Sequence, residues 1–253
     1  RYSYGNTMCI STQAGCRMGC AFCASTIGGV EKSLSPSEML AQIYEAEKDT
    51  GEKVNGVVLM GSGEPLDNYD NVIKFIKLIN SKDGKNMGQR HITLSTCGLI
   101  TKIYELADED LQITLAVSLH APNDGIRNTI MPVSKANPMD KLLEACRYYT
   151  DKTKRRITFE YSLIKGVNDS PQNAKELASK LKGMLCHVNL IPINDVKERD
   201  FVRSSNETIK AFEEILLSRG IETTVRRKLG SDIDAACGQL RKRYKDEIKS
   251  VKR

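Results

Sequence analysis

The sequence of 253 residues contains no long apolar segment. No run of 18 apolar residues is present, so nothing in it predicts a membrane-spanning helix. It also lacks a stretch that resembles a secretory leader, so a cytoplasmic protein with no membrane partner is expected. No internal repeat, linker or low-complexity stretch divides the chain, which therefore predicts a single domain over residues 1–253.

Cysteine, in contrast, is well represented. Eight cysteines at uneven spacing in a chain of this length do not predict the disulfide scaffold of a small secreted protein. Three of them, Cys97, Cys146 and Cys186, lie singly in apolar surroundings. We interpret these three as small buried hydrophobic side chains.

Three other cysteines are grouped in the run GCRMGCAFC. Cys16, Cys20 and Cys23 have the spacing C-x3-C-x2-C and offer three thiolates from one short loop. Iron–sulfur clusters are held by cysteine thiolates, and a complete protein set would number four. Three thiolates can hold three corners of a four-iron, four-sulfur cluster and leave one iron free to bind a small molecule.

Other interpretations of this loop stay open. Structural zinc sites take four ligands, commonly as two C-x2-4-C pairs. No second pair follows here, and Cys9 lies outside the tight loop. A metal site of another kind and three unliganded thiols are the alternatives to an open cluster.

Short β-branched or apolar runs alternate with helical patterns along the whole chain. Such runs are typical of strands buried on both faces, and the alternation predicts parallel crossovers. We expect an open, partial parallel α/β barrel of about six β/α units, with a doubly wound sheet as the alternative. The predicted strands are Met8–Ser11, Gly56–Met60, His91–Ser95, Ile113–Ser118, Arg156–Leu163, Cys186–Ile191 and Glu222–Arg226. One predicted helix begins after Ser35. The others span Tyr69–Asn80, Pro138–Thr150, Pro171–Leu181 and Asn206–Arg219.

Polar residues follow almost every predicted strand. In parallel α/β folds ligands bind at the carboxyl ends of the strands, where the loops converge. A single glycine pair or histidine would more often be structural, but here the polar ends should meet at one rim. The segments concerned are Cys16–Cys23, Gly61–Pro65, Ser95–Thr96, Ser118–His120, Lys165–Asp169 and Pro192–Asn194. The sequence therefore predicts an active site at this rim.

The cysteine motif followed by a G-x-G-E-P loop resembles the radical S-adenosylmethionine superfamily. Within it, the chain resembles the bacterial family of dual-specificity rRNA/tRNA adenine-C2 methyltransferases. The matching stretches cover nearly the whole chain and are Cys9–Cys16, GSGEPL at Gly61–Leu66, Ser118–Asp124, Asn189–Pro192 and Asp232–Leu240. The family's small N-terminal helical domain is expected to be absent from this chain, together with the general base that it would carry.

The resemblance implies a role for each matching position. Cys16, Cys20 and Cys23 would hold a [4Fe-4S] cluster. Cys237 would carry a methyl group and Cys9 would resolve the product by forming a disulfide with it. The implied contacts of S-adenosylmethionine are Gly63, Glu64, Ser95, Ser118, Leu119, His120 and Asn194.

The implied chemistry explains the additional cysteines. C2 of adenine lies between two ring nitrogens and is electron-poor, so it does not attack a sulfonium methyl group as a nucleophile. One S-adenosylmethionine would methylate Cys237, and reductive cleavage of a second would generate the radical that activates this methyl group. The methylene carbon would join C2 and link RNA to protein, until Cys9 attacks the Cys237 sulfur.

The implied partners are 23S rRNA, with tRNA as a second substrate, and an electron donor such as flavodoxin or ferredoxin; a monomer is expected. The net charge of +6 fits a polyanion partner, and so do the clusters Arg226–Lys228 and Arg241–Arg243, although a solvated surface explains them nearly as well. Two other functions stay open. One is the related adenine-C8 rRNA methyltransferase of antibiotic resistance, and the other is a redox or iron-storage module without catalysis.

Overall fold

The computed structural model describes residues 5–193 and 201–226. Within these ranges the strands are β1 (Asn6–Cys9), β2 (Gln13–Gly15), β3 (Val30–Ser33), β4 (Val54–Leu59), β5 (Ile92–Thr96), β6 (Thr114–Ser118), β7 (Ile157–Leu163), β8 (Cys186–Pro192) and β9 (Thr223–Val225). The helices are α1 (Pro36–Thr50), α2 (Tyr69–Asn80), α3 (Ile100–Ala107), α4 (Asp124–Ile130), α5 (Met139–Thr153), α6 (Pro171–Leu181) and α7 (Asn206–Ser218).

Seven strands form one parallel sheet in the order β1-β4-β5-β6-β7-β8-β9. Within this sheet each strand pairs with the next one in chain order, apart from β2 and β3, which form a separate hairpin between β1 and β4; six helical crossovers separate the seven strands. The sheet curls into a half-barrel. The predicted open parallel α/β barrel is therefore confirmed, and the doubly wound alternative is wrong because no strand order reverses within the described sheet.

The core lies between the sheet and the apolar faces of the helices. Helix α2 shows how it is built, because Val72, Phe75, Ile76 and Ile79 recur at helical spacing and are fully buried. The strands supply the opposite side through residues such as Leu115. Burial of each such side chain contributes about 1.5–3 kcal/mol, so this layer holds the strand ends in a fixed relative position.

Most predicted elements are found with small shifts of their ends. Helix α1 begins as predicted, since the Ser35 hydroxyl accepts a hydrogen bond from the Glu38 backbone and the Glu38 carboxylate accepts one from the Ser35 backbone. The first strand begins and ends two residues earlier than predicted, at Asn6–Cys9. Three elements were not predicted: α3, α4 and the antiparallel hairpin β2–β3.

Among the described residues, no helix is both long and apolar enough to cross a membrane.

Candidate active site

One cavity of about 220 Å³ lies at the carboxyl ends of the strands. Because all seven strands run in the same direction, most of the predicted polar segments meet at a single rim. The segment Lys165–Asp169 does not line the cavity. The predicted site residues that line this cavity are Cys16, Cys20, Cys23, Gly63, Glu64, Ser95, Ser118 and His120. Asn194 and Cys237 lie outside the described residues.

The cysteine loop is held in shape by its own backbone. The Cys23 backbone N–H donates to the Cys20 carbonyl oxygen at 3.1 Å, and the Thr26 hydroxyl donates to the Cys23 carbonyl oxygen at 2.8 Å. The Cys16 backbone N–H donates to the carbonyl oxygen of Gly29 at 3.1 Å, which ties the start of the loop to its return strand. The loop therefore presents its three side chains to the cavity from a fixed turn.

Burial makes free thiolates unfavourable in this loop. It raises the pKa of Cys16 to about 11 and that of Cys20 to about 12, and the neighbouring cysteines add to both shifts. Three such sulfurs around one cavity form a donor set that needs a bound cation to become thiolate. Within the described residues, no group of three His, Cys, Asp or Glu side chains is placed to coordinate a single metal ion. In an iron–sulfur cluster each cysteine binds a different iron, so its thiols need not meet at one point, and the donor set fits such a cluster.

The loop after β4 approaches the β2–β3 hairpin closely. Gly63 has a φ of +106°, and a Cβ atom added there would lie 2.6 Å from the Gln13 Cβ. The Gln13 side-chain oxygen accepts a hydrogen bond from the Glu64 backbone N–H at 2.9 Å. Only glycine fits this position, because the backbone conformation and the contact both exclude a side chain.

The Glu64 carboxylate is buried and fixed by backbone donors. It accepts hydrogen bonds from the Leu66 N–H at 3.0 Å and from the Cys97 N–H at 2.7 Å. Burial raises the pKa of Glu64, and these hydrogen bonds oppose the rise. A carboxylate held in this way at the cavity wall is suited to bind the ammonium group of an amino acid.

His120 lies at the far end of β6 in a left-handed conformation, with a φ of +55°. Its Nδ1 accepts a hydrogen bond from the Ser162 backbone N–H at 2.9 Å, and Phe22 packs edge-on at 4.9 Å between ring centroids. Burial and, to a smaller extent, the charge of Arg127 together lower the pKa of His120 to about 3. His120 is therefore a neutral imidazole that connects the cysteine loop to the rim.

Two predicted residues lie away from the cavity lining. Leu119 is fully buried behind the wall, where its N–H donates to the Glu160 carbonyl oxygen and its carbonyl oxygen accepts from Arg127. Cys9 is exposed at the end of β1. Desolvation by the surrounding chain raises the pKa of Cys9, against a Met60 backbone hydrogen bond and the charge of Arg226.

The sequence reasoning missed several residues of the site. Glu160 and Ser162 on β7 line the cavity, and so does Cys97, which the sequence had suggested to be only a buried hydrophobic side chain. Arg226, which the sequence did single out, also lines the cavity and is exposed. The Glu160 carboxylate accepts a hydrogen bond from the Asn189 side chain at 2.9 Å, and burial raises its pKa. A carboxylate in the middle of the buried strand β7 was the available signal.

Comparison with known proteins agrees with this geometry. The family model described as "Radical SAM superfamily" matches residues 10–178. A Clostridium tetani protein named "Probable dual-specificity RNA methyltransferase RlmN" is 60% identical over 99% of this chain and 72% of its own length. A protein of the same name from Clostridium botulinum (strain Eklund 17B / Type B) is 62% identical over 96% of this chain and 70% of its own.

The chain belongs to the radical SAM superfamily and, within it, to the RlmN family of RNA methyltransferases. Its cofactors are accordingly a [4Fe-4S] cluster and S-adenosylmethionine. A crystal structure of a radical SAM methyltransferase from Sphaerobacter thermophilus superposes with a TM-score of 0.92 at 47% identity, over 95% of this chain and 72% of that one. Membership in a family of radical SAM enzymes overturns the interpretation of a non-catalytic iron-storage module.

Proposed function

We propose that this RNA methyltransferase methylates C2 of adenosine in 23S rRNA and in tRNA. The observation that carries the proposal is that the three thiols of the C-x3-C-x2-C loop and the buried Glu64 carboxylate line a single cavity. The chain that forms this cavity is 60% identical to a protein named as an RlmN methyltransferase. The alternative regiochemistry at C8 remains an outcome of the test.

Different residues of the site would bind each of the two cofactors. Cys16, Cys20 and Cys23 would hold the cluster, since all three line the cavity from one fixed loop. When bound, the cluster and S-adenosylmethionine supply a reducing electron, a carbon radical and a methyl group. Glu64 would bind the ammonium group of S-adenosylmethionine, and the backbone at Gly63 leaves room for its methionine part to approach.

The rim after β5 and β6 would bind the rest of S-adenosylmethionine. Ser95 and Ser118 are half-buried and line the same cavity, so their hydroxyls can bind polar groups of the cofactor. His120 would border the cofactor on the side of β7, where its Nδ1 accepts a hydrogen bond from the Ser162 backbone N–H. Leu119 contributes through the position of its backbone, and Asn194 is proposed from the family pattern alone.

The methyl carrier is proposed to be Cys237, with Cys9 as the residue that releases the product. Cys9 is suited to this task because it ends β1 and is exposed, so another sulfur can reach it. Attack of the Cys9 thiolate on the Cys237 sulfur would form one S–S bond and break the bond to the methylated base. Desolvation leaves the pKa of Cys9 above its ordinary value, and the charge of Arg226 opposes part of that rise.

The target adenine would have to leave its stack to reach this cavity. Arg226 is exposed at the cavity edge, where its charge can bind an RNA phosphate. The other basic residues invoked from the sequence lie outside the described ranges. A low-potential electron donor of the flavodoxin or ferredoxin class completes the proposed set of partners.

The test is product analysis with reconstituted protein. The protein is incubated with S-adenosylmethionine, dithionite and unmodified rRNA or tRNA, and the digested nucleosides are identified by mass spectrometry. We expect 5′-deoxyadenosine and 2-methyladenosine. Formation of 8-methyladenosine would overturn the regiochemistry, and the absence of both methylated nucleosides from both RNAs would overturn the proposed function.

A matched pair of variants connects this activity to the cysteine loop. Cys16→Ala removes a proposed cluster ligand, whereas Cys146→Ala alters a thiol that is fully buried in α5. We expect Cys16→Ala to lose iron binding and all methylation and Cys146→Ala to retain both. Full methylation by Cys16→Ala would contradict the proposed ligation.

A further inference from the structure

Arg127 is a buried cation without a carboxylate partner in the described part of the chain. Its side chain is fully buried, and an arginine remains charged in proteins. All of its hydrogen bonds go to backbone carbonyl oxygens: those of Cys97 at 2.7 Å, Asn137 at 3.1 Å, Leu119 at 3.2 Å and Ser118 at 3.4 Å. Asp124, one turn earlier in α4, is near enough to act on it, but its Oδ1 accepts a hydrogen bond from the Met139 N–H.

An unpaired buried charge is costly, so this one calls for a counter-charge. Four carbonyl dipoles solvate the guanidinium but carry no net charge. The space around it is tight, since a Cβ atom on Gly98 would lie 2.8 Å from Leu142 Cδ2 and 3.2 Å from an Arg127 nitrogen. A hydrocarbon side chain would fill the same volume at lower cost if shape alone mattered.

The helix that carries Arg127 contacts the cysteine loop. Helix α4, which carries Arg127, ends at Ile130, and the carbonyl oxygen of Ile130 accepts a hydrogen bond from the Ala21 N–H at 2.8 Å. Ala21 is the neighbour of Cys20 in the loop. The Arg127 charge and the sulfurs of Cys20 and Cys97 are close enough to interact.

We propose that Arg127 is a positioning residue whose fixed positive charge stabilises the reduced state of the iron–sulfur site. The proposal rests on the ligation by Cys16, Cys20 and Cys23 proposed above. Three thiolates make that site anionic. On reduction, a low-potential donor would give one electron to the cluster and would itself be oxidised by one electron. No bond or proton would be exchanged, so the negative charge of the cluster site would increase by one.

A nearby cation favours this added charge, and low dielectric surroundings strengthen the effect. An arginine paired with a carboxylate would contribute much less, because the two fields would largely cancel. Asp124 acts on Arg127 from one turn away and offsets part of its charge. Among the described residues no carboxylate forms a direct ion pair with it, so the field is not cancelled at contact distance.

The test compares charge-removing and charge-keeping variants of the reconstituted protein. Arg127→Met and Arg127→Gln are neutral, and Arg127→Lys keeps the charge. Arg155→Met is the matched control, since Arg155 also donates to a backbone carbonyl, that of Ile113, but at the opposite end of β6. Iron and sulfide content is measured first, and the midpoint potential is then followed by electron paramagnetic resonance during titration with dithionite.

We expect reduction to become about tenfold less favourable in the neutral variants, which lowers the potential by about 59 mV for one electron. Arg127→Lys should remain within about threefold of the parent protein, and Arg155→Met should match it. A loaded neutral variant with an unchanged potential would overturn the proposal.

Failure to load a cluster is also decisive. If the neutral variants take up no iron and Arg127→Lys does, the site requires the charge and the proposal is supported in a stronger form. If Arg127→Lys also takes up none, the role of Arg127 is steric and the proposal is wrong. If the parent protein itself binds no iron, the proposed ligation fails and the inference fails with it.

Discussion

Gly63 lies where a side chain would collide with the neighbouring hairpin. Gly63→Ala places a methyl group against Gln13 and forces an unfavourable φ, so the loop that carries Glu64 must move. We expect a loss of at least tenfold in the affinity for S-adenosylmethionine, or about 1.4 kcal/mol. Isothermal titration calorimetry with the reconstituted protein measures it.

Gly166→Ala is the control for this substitution. Gly166 also has a positive φ, of +71°, but no atom lies within 4 Å of a Cβ added there. Its substitution introduces similar backbone strain without the collision, and binding should stay within about twofold of the parent value, a difference below about 0.5 kcal/mol. Equal losses in the two variants would show that strain, not the contact with Gln13, limits binding.

Cys9 offers a test of the proposed covalent route at a single atom. If Cys9 releases the product, Cys9→Ala should still form the bond between protein and RNA and then stop. We expect the variant expressed in cells to co-purify with covalently bound RNA, whereas Cys9→Ala/Cys237→Ala should not. Gel analysis under denaturing conditions detects the adduct. RNA-free Cys9→Ala with normal product formation would make Cys9 an ordinary strand residue.

Single residues also mark the limit of what the sequence could predict. The cysteine spacing and the loop at Gly63 were readable because each is a local pattern. Arg127 was not, because nothing in the sequence shows that carbonyl oxygens from four distant residues meet around one side chain. Glu160 was missed for the same reason, since its place depends on its register with Ser118 and Asn189.

At the scale of elements, the β2–β3 hairpin is a support for the cofactor loop. Gln13 connects them, because its oxygen accepts from the Glu64 N–H and its nitrogen donates to the Asp67 carboxylate at 2.8 Å. Gln13→Ala leaves the buried Glu64 N–H without its acceptor. We expect a loss of about 1–3 kcal/mol in the free energy of unfolding.

Urea unfolding of the cluster-free protein measures this loss. Gln112→Ala is the control, because Gln112 is exposed before β6 and its side chain has no comparable buried contact. Its effect should stay within about 0.5 kcal/mol. A Gln13→Ala variant as stable as the control would show that the hairpin does not hold the loop.

The elements themselves were predictable where the pattern was long. All seven strands of the sheet overlap predicted strand runs, with β1 shifted by two residues, and α2 and α6 have the predicted ends. The hairpin was missed because β2 has three residues and β3 four, too few to show alternation. Helix α4 was missed because it has seven residues and includes Gly125, a poor helix former.

For the molecule as a whole, His120 predicts how stability depends on pH. Its folded pKa of about 3 lies below the ordinary value near 6.5, so the unfolded chain binds a proton that the folded chain does not. The stability is therefore complete above about pH 6.5 and is lost as the pH falls towards 3. Between pH 7 and pH 5 this single group removes about 2 kcal/mol.

His120→Asn should abolish that contribution. Asparagine tolerates the left-handed backbone at this position and can accept the hydrogen bond from Ser162. Urea unfolding at pH 7 and pH 5 should show a smaller decrease for this variant than for the parent protein, by up to about 2 kcal/mol. His91→Asn, at an exposed site, should decrease as the parent does. A parallel decrease in all three proteins would contradict the buried neutral imidazole.

The order of the strands also bears on how the chain assembles during synthesis. Each new strand of the sheet docks beside the one that left the ribosome before it, so every pairing closes a loop of limited length. Each of these parallel pairings must wait for the crossover helix between its two strands, and parallel pairing is slow, so the sheet is expected to grow stepwise. The cysteine loop follows the first of these strands, and the sheet can grow outward from it while translation continues. We expect the cysteine loop to form early and the strand ends that complete the cavity to form last.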